Sequence, residues 1–402
     1  MKRAVMYGSG NIGRGFIGQL FSLSGYETQF VDINMTMIDR LNADYSYPLY
    51  ITKNGKYEKT LVEHVSGVDG RNPDLVAQAI AQADIMATAV GVNVLKHIAK
   101  PLAQGIGLRY RNGARPLDII ICENKISADV YLRELIEPFL SAEELKYLHH
   151  SIGFVEASIG RMVPAVPAEL SKENPLAVCV EEFCQLPVDK DAFRGDIPDI
   201  VNLQPFSPFG FFIERKLFMH NMSHAVTAYL GALKGDSYLW ESALRPEIKL
   251  VSYLALMESA QALSEKHHVP MKELIAHAND LLYRFENRLL GDTIARVGKD
   301  TQRKLSVNDR LCGAFLLCRQ QGIRPGAIAL GIAAGMHFNG KDDPSSEELA
   351  SYAQQQGVAA ALNRYSGITN PQDVALITKL YVMLAQNTMQ EVVTYMEQYK
   401  RE

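Results

Sequence analysis

Arg3-Ala4-Val5-Met6-Tyr7-Gly8-Ser9-Gly10-Asn11-Ile12-Gly13 is the stretch whose reading decides the fold. A short apolar run reads as a strand, a glycine-rich turn follows it directly, and Asn11–Leu23 carries a helical pattern. In such a unit Gly8 permits the tight turn. Gly10 lets the backbone approach a diphosphate closely, and Gly13 lets the helix pack near the strand, so that Ser9, Asn11 and Ile12 sit in the phosphate loop. A second strand, Thr28–Asp32, ends in a carboxylate at the spacing from the glycines that suits the hydroxyls of an adenosine ribose. A 2′-phosphate there would be repelled, so NAD is expected rather than NADP. The competing readings are a glycine-rich turn in an unrelated α/β protein and an FAD site.

Working outward, Ile85–Ala89 and Leu117–Cys122 read as further strands, with helices at Met35–Leu41 and Pro73–Ala81. Thr88, Ala89, Val90 and Gly91 would then lie at the carboxyl edge of the sheet beside the cofactor. Phe154–Ser158 and Leu176–Glu182 extend the strand-like region. Beyond Pro205 and Pro208 the period changes to that of amphipathic helices, over Phe211–Leu233, Arg245–Lys266, Met271–Leu289, Ser306–Gln321, Pro325–Met336, Ser346–Leu362 and Pro371–Tyr399. The expected architecture is α/β: a Rossmann-type, doubly wound parallel sheet domain over residues 1–200 with extra strands, followed by a mostly α-helical C-terminal domain over 201–402. The boundary is placed in Gly195–Pro208.

The bulk properties narrow the function classes. A net charge of -4 over 402 residues gives no basic field for nucleic acid or an anionic membrane surface. No apolar run approaches the ~18 residues of a membrane span, and the Met1-Lys2-Arg3 start is followed by glycines rather than by a leader's apolar core. Five cysteines without a CxxC pair fit reduced thiols and give no cysteine-rich zinc site. A cytoplasmic enzyme of a small-molecule substrate is expected, as monomer or homodimer.

Hydride chemistry on an alcohol needs a base for the hydroxyl proton and donors for the oxygen. Neither a Cys/His zinc cluster nor a Tyr-x-x-x-Lys pair is present; a His–Asp base stays open, with ten histidines available. The richest polar stretch inside an apolar helix is Glu214–His224. On an α-helix Asn221 lies about 140° and His224 about 80° round from Lys216. The three share half of the helix, where a desolvated lysine could act as base. The plain alternative is a solvated charge patch above satisfied core histidines.

Lys216-x4-Asn221-x2-His224 on the first helix after the cofactor domain resembles the signature of the polyol-specific long-chain dehydrogenases. The resemblance spans the chain. Gly8–Gly18, Cys122-Glu123-Asn124, Glu214–Phe218, Arg303–Ser306 and Ala334–Phe338 are similar to the branch that interconverts mannitol 1-phosphate and fructose 6-phosphate. It implies a metal-free NAD enzyme with Lys216 as general base, Asn221 and Asn124 holding the reacting oxygen, and His224 on the substrate. The pattern has aspartate where this chain has Gly160, which bears on the substrate more than on the reaction class. Arg303 and Lys304, with Lys299 and Arg296 nearby, form a cationic cluster that could hold a phosphate together with His337; a solvated basic surface is the plain alternative. Sibling specificities for an unphosphorylated polyol or a hexuronate (tagaturonate or fructuronate), and a non-catalytic NAD(H) sensor, are the rival readings.

Overall fold

A computed structural model describes residues 1–401 and divides the chain into two compact units, Met1–Gly210 and Phe211–Glu402. The strands of the first unit, in chain order, are β1 (Lys2–Tyr7), β2 (Tyr26–Asp32), β3 (Ser46–Lys53), β4 (Lys56–Glu63), β5 (Val65–Asp69), β6 (Ile85–Thr88), β7 (Leu117–Ile121), β8 (Ile152–Glu156), β9 (Val178–Glu181), β10 (Leu186–Asp189) and β11 (Leu203–Phe206). Six of them form a parallel sheet in the order β5-β2-β1-β6-β7-β8. Numbered along the chain these are strands 3-2-1-4-5-6, the doubly wound Rossmann order, whose switch point lies between β1 and β6.

The central strand is buried on both faces, as an all-parallel sheet requires. Ala4 and Met6 pack into the core on one side with Phe16, Leu20 and Phe30. Val5 and Tyr7, pointing the other way, join Val76, Ile80 and Leu102. Between β2 and β5 the chain inserts a hairpin, β3–β4, which pairs with β9 in a separate three-stranded sheet. Its turn is Asn54-Gly55, both at positive φ (49° and 73°), the pairing that two-residue hairpins favour.

The second unit is helical throughout. Gly326–His337 is its buried axis, apolar on every face up to Met336. The buried Glu258 carboxylate accepts the Ala327 N–H and Ile328 N–H at 2.9–3.1 Å at the start of that helix, where free amides and the helix dipole favour an anion. Lys400 adds an ion pair at 3.2 Å.

Two expected helices are divided. Pro371–Tyr399 becomes Pro371–Gln386 and Met389–Arg401, because Thr388 and Glu391 form a reciprocal cap: Thr388 N–H donates to Glu391 Oε2 at 2.8 Å and Glu391 N–H to Thr388 Oγ1 at 3.3 Å. Ser346–Leu362 breaks at Gly357, which sits at φ 88°. Ser306–Gln321 starts as a helix only at Cys312. Among the described residues no helix is long and apolar enough to cross a membrane.

Candidate active site

The glycine turn takes the form its residues demand. Gly8 has φ 103°, and a Cβ there would lie 2.5 Å from the Ala89 carbonyl oxygen. A Cβ on Gly13 would lie 2.0 Å from the Gly8 carbonyl oxygen, whereas one on Gly10 would meet nothing within 4 Å. Strand and helix are thus in contact at Gly8 and Gly13, while the Gly10 face is open. Asp32, at the end of β2, accepts the Ser9 N–H and the Ser9 hydroxyl, both at 2.7 Å on Oδ2, and the Asn34 N–H at 3.0 Å on Oδ1. Partial burial pushes this carboxyl up, but the bonds from Ser9 and Asn34 outweigh it and hold it below the ordinary range. It is therefore a charged acceptor at neutral pH. An open backbone turn beside a fixed carboxylate fits the diphosphate and ribose of NAD.

The carboxyl edge of the sheet holds two further carboxylates to which the sequence assigns no role. Glu123, buried just after β7, accepts the N–H groups of Val90 and Gly91, each at 2.9 Å, and so fixes the turn Thr88–Gly91 after β6. Burial pushes its pKa up, against those two bonds. Glu156, ending β8, accepts the Ala128 N–H at 2.9 Å and anchors the far end of the exposed loop that begins at Asn124. Either could have been suspected as an acid at the carboxyl end of a parallel strand, but the amides it would bind are not visible in sequence.

In the second unit Lys216, Asn221 and His224 lie on one continuous helix, though not a plain α-helix. Lys216–Asn221 is a π segment set between the α turns Gly210–Arg215 and Met222–Leu233, with the Met222 N–H reaching back to the Leu217 carbonyl. One extra residue is accommodated, so the angles expected for an α-helix are corrected. Asn221 falls about 40° from Lys216 rather than 140°, and His224 about 20° to the other side rather than 80°. The three form a stripe.

At its far end the stripe meets a cluster of aromatic and imidazole rings. His224 stacks on Phe285 (5.0 Å between centroids, 28° between planes) and sets Nε2 3.2 Å from Asp292 Oδ2. The ring of His220 lies 6.0 Å from that of His224. Burial lowers the pKa of His224 against the pull of Asp292. Burial, then Arg284, His224, His277 and Lys216, drive that of His220 well down. Both rings are neutral at pH 7.

The expected anion cluster is more engaged than its sequence suggests. Arg303 pairs with Asp300 and, at 2.9 Å, with Asp309. Lys304 is buried and donates to the Val297 carbonyl at 2.8 Å and to that of Lys299, and burial brings its pKa down to about 8. His337 stacks on Tyr381 at 3.7 Å and sets Nε2 2.9 Å from the Tyr381 carbonyl. Arg303 is the one of the three whose side chain is half exposed.

Comparison with known proteins follows the division of the chain. The mannitol dehydrogenase Rossmann domain matches residues 2–202, and the mannitol dehydrogenase C-terminal domain matches residues 209–400. The chain belongs to the mannitol dehydrogenase family. This makes it an NAD-dependent oxidoreductase of the polyol dehydrogenase type. A mannitol-1-phosphate 5-dehydrogenase of Caldanaerobacter subterraneus subsp. tengcongensis is 37% identical over 385 residues, covering 96% of this chain and 99% of its own.

Two solved structures share the fold. A substrate-free D-sorbitol dehydrogenase superposes with a TM-score of 0.84 at 15% identity, covering 97% of this chain and 94% of its own. The Pseudomonas fluorescens mannitol 2-dehydrogenase, in ternary complex with NAD and D-mannitol, gives 0.73 at 16% identity, covering 99% and 94%. Gly160, where the resemblance implies aspartate, stands just beyond β8, and a Cβ there would meet only the Phe183 ring, at 3.4 and 3.9 Å.

Proposed function

We propose that this member of the mannitol dehydrogenase family catalyses the reversible, metal-independent oxidation of D-mannitol 1-phosphate to D-fructose 6-phosphate with NAD, with Lys216 as general base. The observation that carries the mechanism is the π segment, which sets Lys216, Asn221 and His224 on one stripe. The phosphorylated substrate is supported by the near full-length 37% identity to a mannitol-1-phosphate 5-dehydrogenase.

When bound, NAD supplies the hydride acceptor. The turn Gly8, Ser9, Gly10, Asn11, Ile12 and Gly13 holds its diphosphate, Asp32 its adenosine ribose, and Thr88, Ala89, Val90 and Gly91 line its path along the sheet edge. The Lys216 amine takes the hydroxyl proton, and Asn221 and Asn124 each donate an amide N–H to the oxygen as its charge develops. His224 is neutral, and its Nε2–H donates to Asp292. That leaves Nδ1 as an acceptor for a substrate hydroxyl. Arg303 is assigned to the phosphate, with Lys304 and His337 in support through the backbone they hold.

Initial rates of NADH oxidation with fructose 6-phosphate, fructose and tagaturonate side by side test this reading. The expected order puts fructose 6-phosphate first by at least about tenfold in kcat/KM, the worth of one charge-assisted phosphate contact. Turnover with fructose or tagaturonate alone would transfer the protein to a sibling specificity. NADH binding with no turnover on any of them would remove all three from its substrates.

A further inference from the structure

Arg14 is a charged side chain placed where the glycine turn has no need of one. It follows Gly13, its side chain is buried, and it points under the turn instead of toward the open Gly10 face. Its Nε–H donates to the Ser9 carbonyl at 2.6 Å, and Nη1 donates to the Leu176 carbonyl just before β9. The residue is locked from its other side as well, since the Tyr47 hydroxyl donates to the Arg14 carbonyl at 2.7 Å. A guanidinium keeps its proton even in such a place.

The Ser9 carbonyl and the Gly10 N–H belong to one trans peptide, so they point in opposite directions. With the carbonyl drawn inward by Arg14, the Gly10 N–H is turned away from it, and the space beside Gly10 is open, since a Cβ there would meet nothing within 4 Å. The same residue is fixed at its other end, where the Ser9 N–H and hydroxyl both bind Asp32. Ser9 is therefore held between Asp32 and Arg14, and the peptide that follows it has no freedom to flip.

We infer that Arg14 is a positioning residue for the cofactor. From beneath the turn it presets the Gly10 N–H as a diphosphate donor and adds a buried positive charge under the anion. This rests on the reading that the Gly8–Gly13 turn holds the diphosphate of NAD.

The test is fluorescence titration of NADH into Arg14→Met, Arg14→Lys and Gly10→Ala, with steady-state kinetics of each. Arg14→Met keeps the volume and loses the donors. Its Kd for NADH should rise roughly 10- to 100-fold, the worth of one charge-assisted hydrogen bond. The kcat at saturating NADH and the KM for the ketose should stay within about twofold. Arg14→Lys keeps the charge and one donor and should fall between. Gly10→Ala adds a methyl only to the open face and should weaken NADH while leaving the melting temperature unchanged. Normal NADH binding in Gly10→Ala would overturn the placement of the diphosphate. Weakened binding there with wild-type binding in Arg14→Met would overturn the role of Arg14 alone. A loss of NADH affinity, kcat and ketose KM together would reduce Arg14 to a structural residue. Should Arg14→Met fail to fold, Arg14→Lys decides between the same outcomes.

Discussion

Gly13 and Gly10 belong to one motif yet differ in what a methyl group would meet. At Gly13 the obstacle is the Gly8 carbonyl, a backbone atom that cannot swing aside. Gly13→Ala should destabilise the first unit by about 2 kcal/mol or more, measured as a lower midpoint in urea, because overpacking against backbone forces a shift of the helix. The placement of the glycines and of Asp32 at the turn was legible in sequence, because both follow from one strand–turn–helix grammar. Glu123 was not. Its role depends on two amides in a turn more than thirty positions away, and only the juxtaposition of β6 and β7 brings them within reach. Lys304 carried the opposite lesson. Its charge suggested a ligand, but burial left its amine in contact with two carbonyls of the neighbouring turn.

At the scale of elements, β1, β2, β6, β7, β8 and β9 were readable because buried parallel strands are short apolar runs; β5, at the edge of the sheet and fully buried only at Val65, was not. The hairpin β3–β4 was missed although Asn54-Gly55 is a direct turn signal. Its outer strand, Lys56–Glu63, is mostly exposed and polar, so it lacks the apolar alternation that would have marked it. The π segment had no signature in the spacing. The sequence implies a period of 3.6 throughout, whereas the inserted residue shifts everything after Lys216 by about 100°. Thr388 illustrates how a helix boundary hides in a long amphipathic pattern. Thr388→Ala should remove the hydroxyl half of its reciprocal cap and cost about 1 kcal/mol, seen as faster amide exchange in Met389–Arg401 with little change in Pro371–Gln386. Equal exchange in both helices would mean that they behave as one.

For the molecule as a whole, the buried imidazoles tie stability to pH. His220, His224 and His277 all have pKa values below the ordinary 6.5, and burial, with Arg215 and Arg284 in support, takes His277 down to about 3. As pH falls below 6.5 the unfolded chain binds protons at these positions while the folded chain does not. Stability should therefore fall from about pH 6.5 toward pH 3, by at most about 1.4 kcal/mol per pH unit for each such group. Urea midpoints at pH 7.5 and pH 5 check this, with His277→Gln expected to lessen the difference.

The two-unit architecture was legible from the change of period after the prolines near residue 208. The interior of the helical unit was less so: core histidines are one reading of Glu214–His224, but no spacing shows that His277 and Arg284 come close to His220. The claim on which the mechanism turns is the proton taken by Lys216, and Lys216→Ala tests it most directly. With fructose 6-phosphate and NADH, the account predicts a kcat lower by about 10²- to 10⁴-fold, an unchanged Kd for NADH, and partial recovery of rate on adding a small primary amine. Turnover within a few fold of wild type, or a loss that follows NADH affinity alone, would contradict it.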